Sequence, residues 1–169
     1  MTTRIVVLGD THRPRGRELP RRLERDIESA DLVVHLGDFT GVDLADALQA
    51  TGKLVAVYGN NDVADLRHRF PDRRDIRVEG RTVRCIHGDI GGSTATAAAA
   101  SETGAEIVLY GHSHQPKVLH RNNVLLFNPG SPTQKRFAPY RSYGILTLGD
   151  DIDAQIISLD AAIDRGARG

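Results

Sequence analysis

Short apolar runs, each rich in β-branched residues and closed by glycine or a polar turn, recur along the chain. They are Ile5-Val6-Val7-Leu8, Leu32-Val33-Val34-His35-Leu36, Leu54-Val55-Ala56-Val57-Tyr58 and Ile107-Val108-Leu109-Tyr110. Continuous runs of this length predict strands covered on both faces. Between the first two, Leu19, Leu23 and Ile27 fall at four-residue spacing. That spacing predicts an amphipathic helix over Glu18 to Ala30, with Pro20 in its first turn. Asp43 to Ala50 predicts a second helix with Leu44, Ala47 and Leu48 on one face. The order βαβαβ implies parallel strands joined by right-handed crossovers.

The pattern changes after Asp75. Ile76 to Val78 and Thr82 to Ile86 flank Glu79-Gly80-Arg81. Lys117 to His120 and Val124 to Phe127 flank Arg121-Asn122-Asn123, and Tyr143 to Leu148 and Ile152 to Leu159 flank Gly149-Asp150-Asp151. Each pair reads as a β-hairpin. Ser93 to Thr103 predicts an alanine-rich helix, with Ser93 as its cap and Gly104 as its stop. Arg165 to Gly169 is expected to fray. The chain reads as one domain over residues 1–169, an α/β sandwich of two sheets, parallel-rich early and antiparallel late.

Composition narrows the class. Lys+Arg and Asp+Glu both number 22, so the formal net charge is zero. Nothing pulls such a chain toward nucleic acid or an acidic membrane. Arg4 to Leu8 is too short for the apolar core of a signal peptide and runs into Gly9-Asp10. No apolar stretch has the length to span a bilayer. Cys85 is the only cysteine, which rules out an internal disulfide and fits a reducing compartment. Its expected role is that of a small buried apolar residue. The expectation is a cytoplasmic protein that does not engage a membrane.

The candidate chemistry lies where the strands end. The first run leads into Asp10-Thr11-His12, the second into Gly37-Asp38 and the third into Gly59-Asn60-Asn61-Asp62. Thr82 to Ile86 leads into His87-Gly88-Asp89, and the last run into Gly111-His112-Ser113-His114. In open α/β sheets ligands bind outside the carboxyl ends of the strands. Asp10, His12, Asp38, Asn60, His87, His112 and His114 are therefore the candidate metal ligands. Adjacent glycines let the backbone approach an ion closely. The mixed oxygen and imidazole set suits Mn, Fe, Co, Ni or Zn better than Ca or a lone Mg. So many ligands exceed the needs of one ion with an open position, and fit two ions sharing a carboxylate at roughly 3.5–4 Å. Two divalent ions outweigh the two aspartates and one hydroxide, leaving a net positive pocket suited to a phosphoryl group.

In order and spacing these motifs closely resemble the calcineurin-like metallophosphoesterases, and among them the small bacterial and archaeal phosphodiesterases. Asn128-Pro129-Gly130-Ser131 also looks like a turn of that subfamily. The resemblance covers nearly the whole chain. It implies a four-layer α/β/β/α sandwich of two mixed β-sheets flanked by helices. It also implies that Asp10, His12 and His114 hold one ion, that Asn60, His87 and His112 hold the other, and that Asp38 bridges them. Asp38, Asn60 and His87 are expected to serve the chemistry as well as the binding. Manganese heads the expected metals, ahead of Fe, Co, Ni and Zn, and a metal-bridged hydroxide is the expected nucleophile. The implied partner is a small phosphate ester, with a homo-oligomer allowed although no segment marks an interface. Many family members carry histidine directly after the ligand asparagine, where it protonates the leaving group or stabilises the transition state. Here that position is Asn61, a neutral amide that cannot act as an acid near pH 7. His68 and His120 are the remaining candidate acids.

Two other classes compete. A retromer subunit of the same fold is thought to act as a protein-binding scaffold, but it has lost metal ligands, whereas every position is filled here. A nuclease of the superfamily would usually carry an added domain and base-stacking aromatics, and aromatic residues make up only 5% of this chain. For the run Arg13-Pro14-Arg15-Gly16-Arg17, followed by Arg21, Arg22 and Arg25, a solvated face is expected. The sharper reading is an anion clamp at the pocket rim. His35 is expected in the core or behind a ligand, and Asp62 and Asp89 are expected to orient neighbouring groups or cap turns.

Overall fold

Thr3–Leu8, Leu32–His35 and Leu54–Ala56 form β1, β2 and β3, parallel neighbours in the register Ile5↔Leu32 and Val33↔Leu54. The computed structural model describes residues 1–90, 102 and 104–160. The crossovers are α1 (Arg21–Ser29) and α2 (Val42–Gln49). Helix α1 begins later than the hydrophobic spacing predicts, because Pro20 sits at its N-cap with ψ 133°. Proline also drives the preceding Leu19 away from helical geometry. The apolar stripe of α2 is Leu44, Ala45 and Leu48 rather than Leu44, Ala47 and Leu48. The helix is rolled so that Ala45, three residues before Leu48, meets the sheet. A third helix, α3 (Ala64–Arg69), is too short to show a period in the sequence.

The expected hairpins form as β4 (Arg73–Val78) with β5 (Arg81–Ile86), β7 (Lys117–Arg121) with β8 (Val124–Asn128), and β9 (Ser142–Leu148) with β10 (Ile152–Ser158). Two of the turns are tighter than expected, since Arg81 pairs with Val78 and Arg121 with Val124. Their tips, Glu79-Gly80 and Asn122-Asn123, all have positive φ, the mirror-image turn that matches strand twist. Strand β6 (Ile107–Leu109) lies between β5 and β8 and parallel to both. The later half is thus not simply antiparallel, because this single strand joins two hairpins into one sheet. The sheet orders are β10-β9-β1-β2-β3 and β4-β5-β6-β8-β7.

Alternation along β1 shows how the layers stack. Val6 and Leu8 turn outward onto Leu23 and Ile27 of α1 and Leu44 and Leu48 of α2. Ile5 and Val7 turn inward, into a core shared with Val83, Cys85, Ile107, Leu109 and Phe127 of the other sheet. Full burial of such side chains contributes about 1.5–3 kcal/mol each. Cys85 lies in this apolar layer, and burial pushes its thiol up to about 12, so it is unreactive filler. Ile86, Val108, Tyr110 and Leu126 form a buried cluster on the outer face of the second sheet. The helix expected over Ser93 to Thr103 and the tail Arg165 to Gly169 lie outside the described residues. Two mixed five-stranded sheets packed face to face and flanked by helices are the architecture the resemblance implies. No helix among the described residues is long and apolar enough to cross a membrane.

Candidate metal centre

Past the ends of β1 and β2 the chain keeps its pairing as two loops side by side. The amides of Asp10, His12 and Arg13 donate to the carbonyls of Gly37, Asp38 and Phe39 at 2.9, 2.9 and 2.7 Å. The loop after β3 presses against them. A Cβ on Gly37, where φ is +89°, would sit 2.5 Å from the amide nitrogen of Gly59. Asp62 stitches these loops together: its buried carboxylate accepts the amides of Asp38, Thr40 and Gly59 at 3.0, 2.8 and 2.8 Å. From the second sheet, the amide of Gly111 donates to the carbonyl of His87, and that of His112 to Asp10 Oδ2 at 2.9 Å. Asp10, His12, Asp38, His112 and His114 all have φ between +43° and +70°, a strained region for residues other than glycine.

All seven candidate ligands come together. His12 Nε2 lies 3.2 Å from His114 Nε2, which is 3.8 Å from Asp10 Oδ1. His87 Nε2 lies 3.0 Å from Asn60 Oδ1 and 3.3 Å from His112 Nδ1. Asp38 Oδ2 is 3.5 Å from His12 Nε2 and 3.5 Å from His87 Nε2. One carboxylate oxygen thus reaches a member of each trio.

The surroundings fix which ring nitrogen faces inward. His87 Nδ1 donates to the carbonyl of Leu36 at 2.8 Å, and His114 Nδ1 donates to that of Gln134. Each Nε2 is therefore the nitrogen turned into the site, where a metal would take its lone pair, at His87 in place of the proton shared with Asp38. Asp10 is fully buried, and its Oδ1 has no hydrogen-bond partner among the described residues. Burial pushes its carboxyl up to about 7. Burial opposes the charge on Asp38 too, but hydrogen bonds from His87 and Asn61 hold it well below the ordinary carboxylate range. His87 is pushed up to about 9, because the bond to Asp38 and the two carboxylate charges outweigh its burial. Burial lowers His114 to about 4 and moves His12 and His112 in the same direction. An orphaned buried carboxylate oxygen beside converging imidazole lone pairs is the chemistry a cation resolves. Asp10, His12 and His114 on one side, and Asp10, Asp38 and His87 on the other, place their donor atoms within 4.8 Å of one another. The residues fit divalent metal.

His35 is buried against Phe39; its Nδ1 accepts the amide of Gly37 and its Nε2 faces Thr11 Oγ1 at 3.1 Å, so it props two ligand loops. Asp89 is exposed. His68 binds the carbonyl of Ala64 on α3, and His120 pairs with Leu125, away from the Asn128 end of β8 that meets the site. Asn61 bonds the bridging candidate itself, Nδ2 to Asp38 Oδ2 at 2.7 Å. Arg15, Arg17, Arg21, Arg22 and Arg25 are exposed, as a solvated face requires.

Asn128 to Ser131, which its residues predict to be a turn, gives its side chains specific partners. Asn128 Nδ2 donates to the carbonyl of Gly111 and to Ser113 Oγ, both at 3.1 Å. Ser131 Oγ donates to the carbonyl of Asp10 at 2.8 Å, and Thr133 Oγ1 to that of Thr11 at 2.6 Å. Nothing local in the sequence marks Thr133 or Gln134.

This geometry defines a mixed oxygen–imidazole cradle for divalent cations at the carboxyl edge of a two-sheet sandwich. The chain belongs to the calcineurin-like phosphoesterase superfamily, whose domain matches residues 3–151. A probable metallophosphoesterase of Methanocaldococcus jannaschii is 32% identical over 164 residues, 94% of this chain and 83% of that relative. Among solved structures, Vps29 of Chaetomium thermophilum has the same fold, with a TM-score of 0.75 at 18% identity, covering 92% of this chain and 97% of that one. So does a structure described as a novel archaeal phosphodiesterase, with a TM-score of 0.65 at 21% identity, covering 91% and 99%.

Proposed function

We propose that this protein is a phosphodiesterase that uses two divalent metal ions, held by Asp10, His12 and His114 and by Asn60, His87 and His112, with Asp38 between them. The observation that carries the reading is the equal 3.5 Å reach of Asp38 Oδ2 to His12 and to His87. The diester preference draws support from the archaeal phosphodiesterase of the same fold. Manganese is the first choice for this donor set, with Fe, Co, Ni or Zn as substitutes. Such ions would supply Lewis-acid charge to the phosphoryl oxygens and a water acidified enough to act near neutral pH.

The chain's own groups do the rest. The carbonyls of Leu36 and Gln134 hold two imidazoles in the required tautomer. Asp62 and His35 fix the loops that present Asp38 and Asp10. Asn61 keeps Asp38 ionised and aligned, but it has no proton to give to a departing alkoxide. His68 lies on α3 and His120 on β7, away from the ligands, so the leaving group departs on its own acidity. Aryl diesters should therefore turn over far faster than alkyl diesters, and equal steady-state rates on both would refute this. Asp38→Asn tests the reading itself. Turnover should drop roughly a thousandfold and metal content should fall with it. Full activity at normal metal content would overturn the assignment. The scaffold alternative is disfavoured because every ligand position is filled. The lone buried Cys85 supports a reducing, cytoplasmic setting.

A further inference from the structure

The chain that leaves Ser131 carries a feature the metal centre does not use. The amide of Ala138 donates to the carbonyl of Lys135 at 2.8 Å, closing a four-residue turn with Arg136 and Phe137 at its tip. Both feet of the turn are tied down. Gln134 gives its carbonyl to His114 and its amide to Ser131 Oγ, and Ala138 is buried. The tip is free by contrast. Phe137 is 96% exposed, the most exposed aromatic ring among the described residues. Arg136 is exposed and makes no hydrogen bond or ion pair among the described residues, yet its charge acts on Asp10, His12, His112 and His114. It also adopts φ +49°, at a turn position that normally takes glycine. An arginine held in a glycine conformation and an unpacked phenyl ring, two and three residues past the carbonyl that holds His114, gain nothing for the fold.

Taking the phosphodiesterase reading as given, we propose that Arg136 and Phe137 are substrate-binding residues that select phosphate esters bearing a planar aromatic group. The guanidinium meets a phosphoryl oxygen and the phenyl ring stacks on the aromatic arm. Arginine suits this because its fork pairs with two phosphoryl oxygens at once. Phenylalanine suits it because stacking accepts any flat ring. The shared chemistry is the aromatic ring, which a simple aryl ester or a nucleobase can supply.

The test is binding, which needs no turnover. Metal-loaded protein is titrated by calorimetry with phenylphosphonate against methylphosphonate, and with adenosine monophosphate against ribose 5-phosphate. The parent should prefer the aromatic member of at least one pair by about tenfold. A preference in only one pair names the source of the ring. In Phe137→Ala that preference should collapse toward unity. In Arg136→Gly every ligand should weaken by roughly tenfold while the melting temperature holds or rises, since glycine suits the turn. Arg136→Gln repeats the measurement should the glycine variant loosen the loop. No aromatic preference in the parent, or a preference that survives Phe137→Ala together with unchanged affinities in the arginine variants, overturns the proposal. A parent that binds in the expected pattern yet cleaves no diester refutes the hydrolytic reading and leaves the recognition pair standing.

Discussion

Left-handed backbone occurs in two parts of this molecule for opposite reasons. At the hairpin tips, Gly80, Asn122 and Asn123 adopt positive φ because these residues tolerate it and strand twist demands it, and Glu79 follows with its turn. Around the metal centre, Asp10, His12, Asp38, His112 and His114 adopt it where no hairpin turn requires it, at a cost that aspartate and histidine bear more readily than most residues but do not escape. Contacts from distant parts of the chain impose it there: Asp62 on Asp38, the amide of His112 on Asp10, and Ser131 and Thr133 on the first loop. One class of strain is written into the turn, and the other is imposed by tertiary structure to aim side chains.

This contrast can be pushed from its strong end to its weak one. Gly37→Ala should cost most, about 3 kcal/mol or more, because a methyl group there meets Gly59 at 2.5 Å in a conformation alanine resists. Denaturant titration would measure it, and a loss under 1 kcal/mol would mean the loops are looser than described. Asp62→Ala should cost about 2–3 kcal/mol by stranding three amides, and should weaken metal loading as its loops relax. A destabilised variant with undiminished metal affinity would show that the loops need no stitching.

Proton linkage gives the next effect. Asp10 and His87 have folded values raised to about 7 and about 9. At these two groups the metal-free folded state holds protons that the unfolded chain has lost, from about pH 4 for Asp10 and about 6.5 for His87 up to those values. Their contribution to stability falls as pH rises through that window. Metal displaces the same protons, so the rise in melting temperature on adding Mn²⁺ should grow between about pH 5 and about pH 8. A pH-independent increment would contradict it. At the weak end, Asn123→Gly should shift stability by no more than about 0.5 kcal/mol, and in the favourable direction. A large loss there would erase the distinction between the two kinds of turn.

How much of this was legible beforehand follows the same division. The β-branched runs and the turn residues between them identify β1 to β3, β6 and all three hairpins, because local preference and final structure agree. The seven candidate ligands were legible because chemically unusual side chains follow those runs. The six residues of α3 span under two turns and show no period. The roll of α2 onto Ala45 depends on the sheet beneath it. Thr133, Gln134 and Arg136 carry no pattern at all; Thr133 matters through Thr11, more than a hundred residues earlier, and Gln134 through His114 in the loop after β6. Which imidazole nitrogen points inward depends on the carbonyls of Leu36 and Gln134, and no spacing rule reveals that.

The ligand loops divide between the two sheets, with Asp10, His12, Asp38 and Asn60 following strands of one and His87, His112 and His114 following strands of the other. Each proposed ion would draw donors from both, and so would act as a rivet through the seam. Metal occupancy and the fastening of one half of the sandwich to the other then become a single equilibrium. Chelation should slacken the join before it melts either sheet, exposing the seam to a protease while the hairpins stay intact.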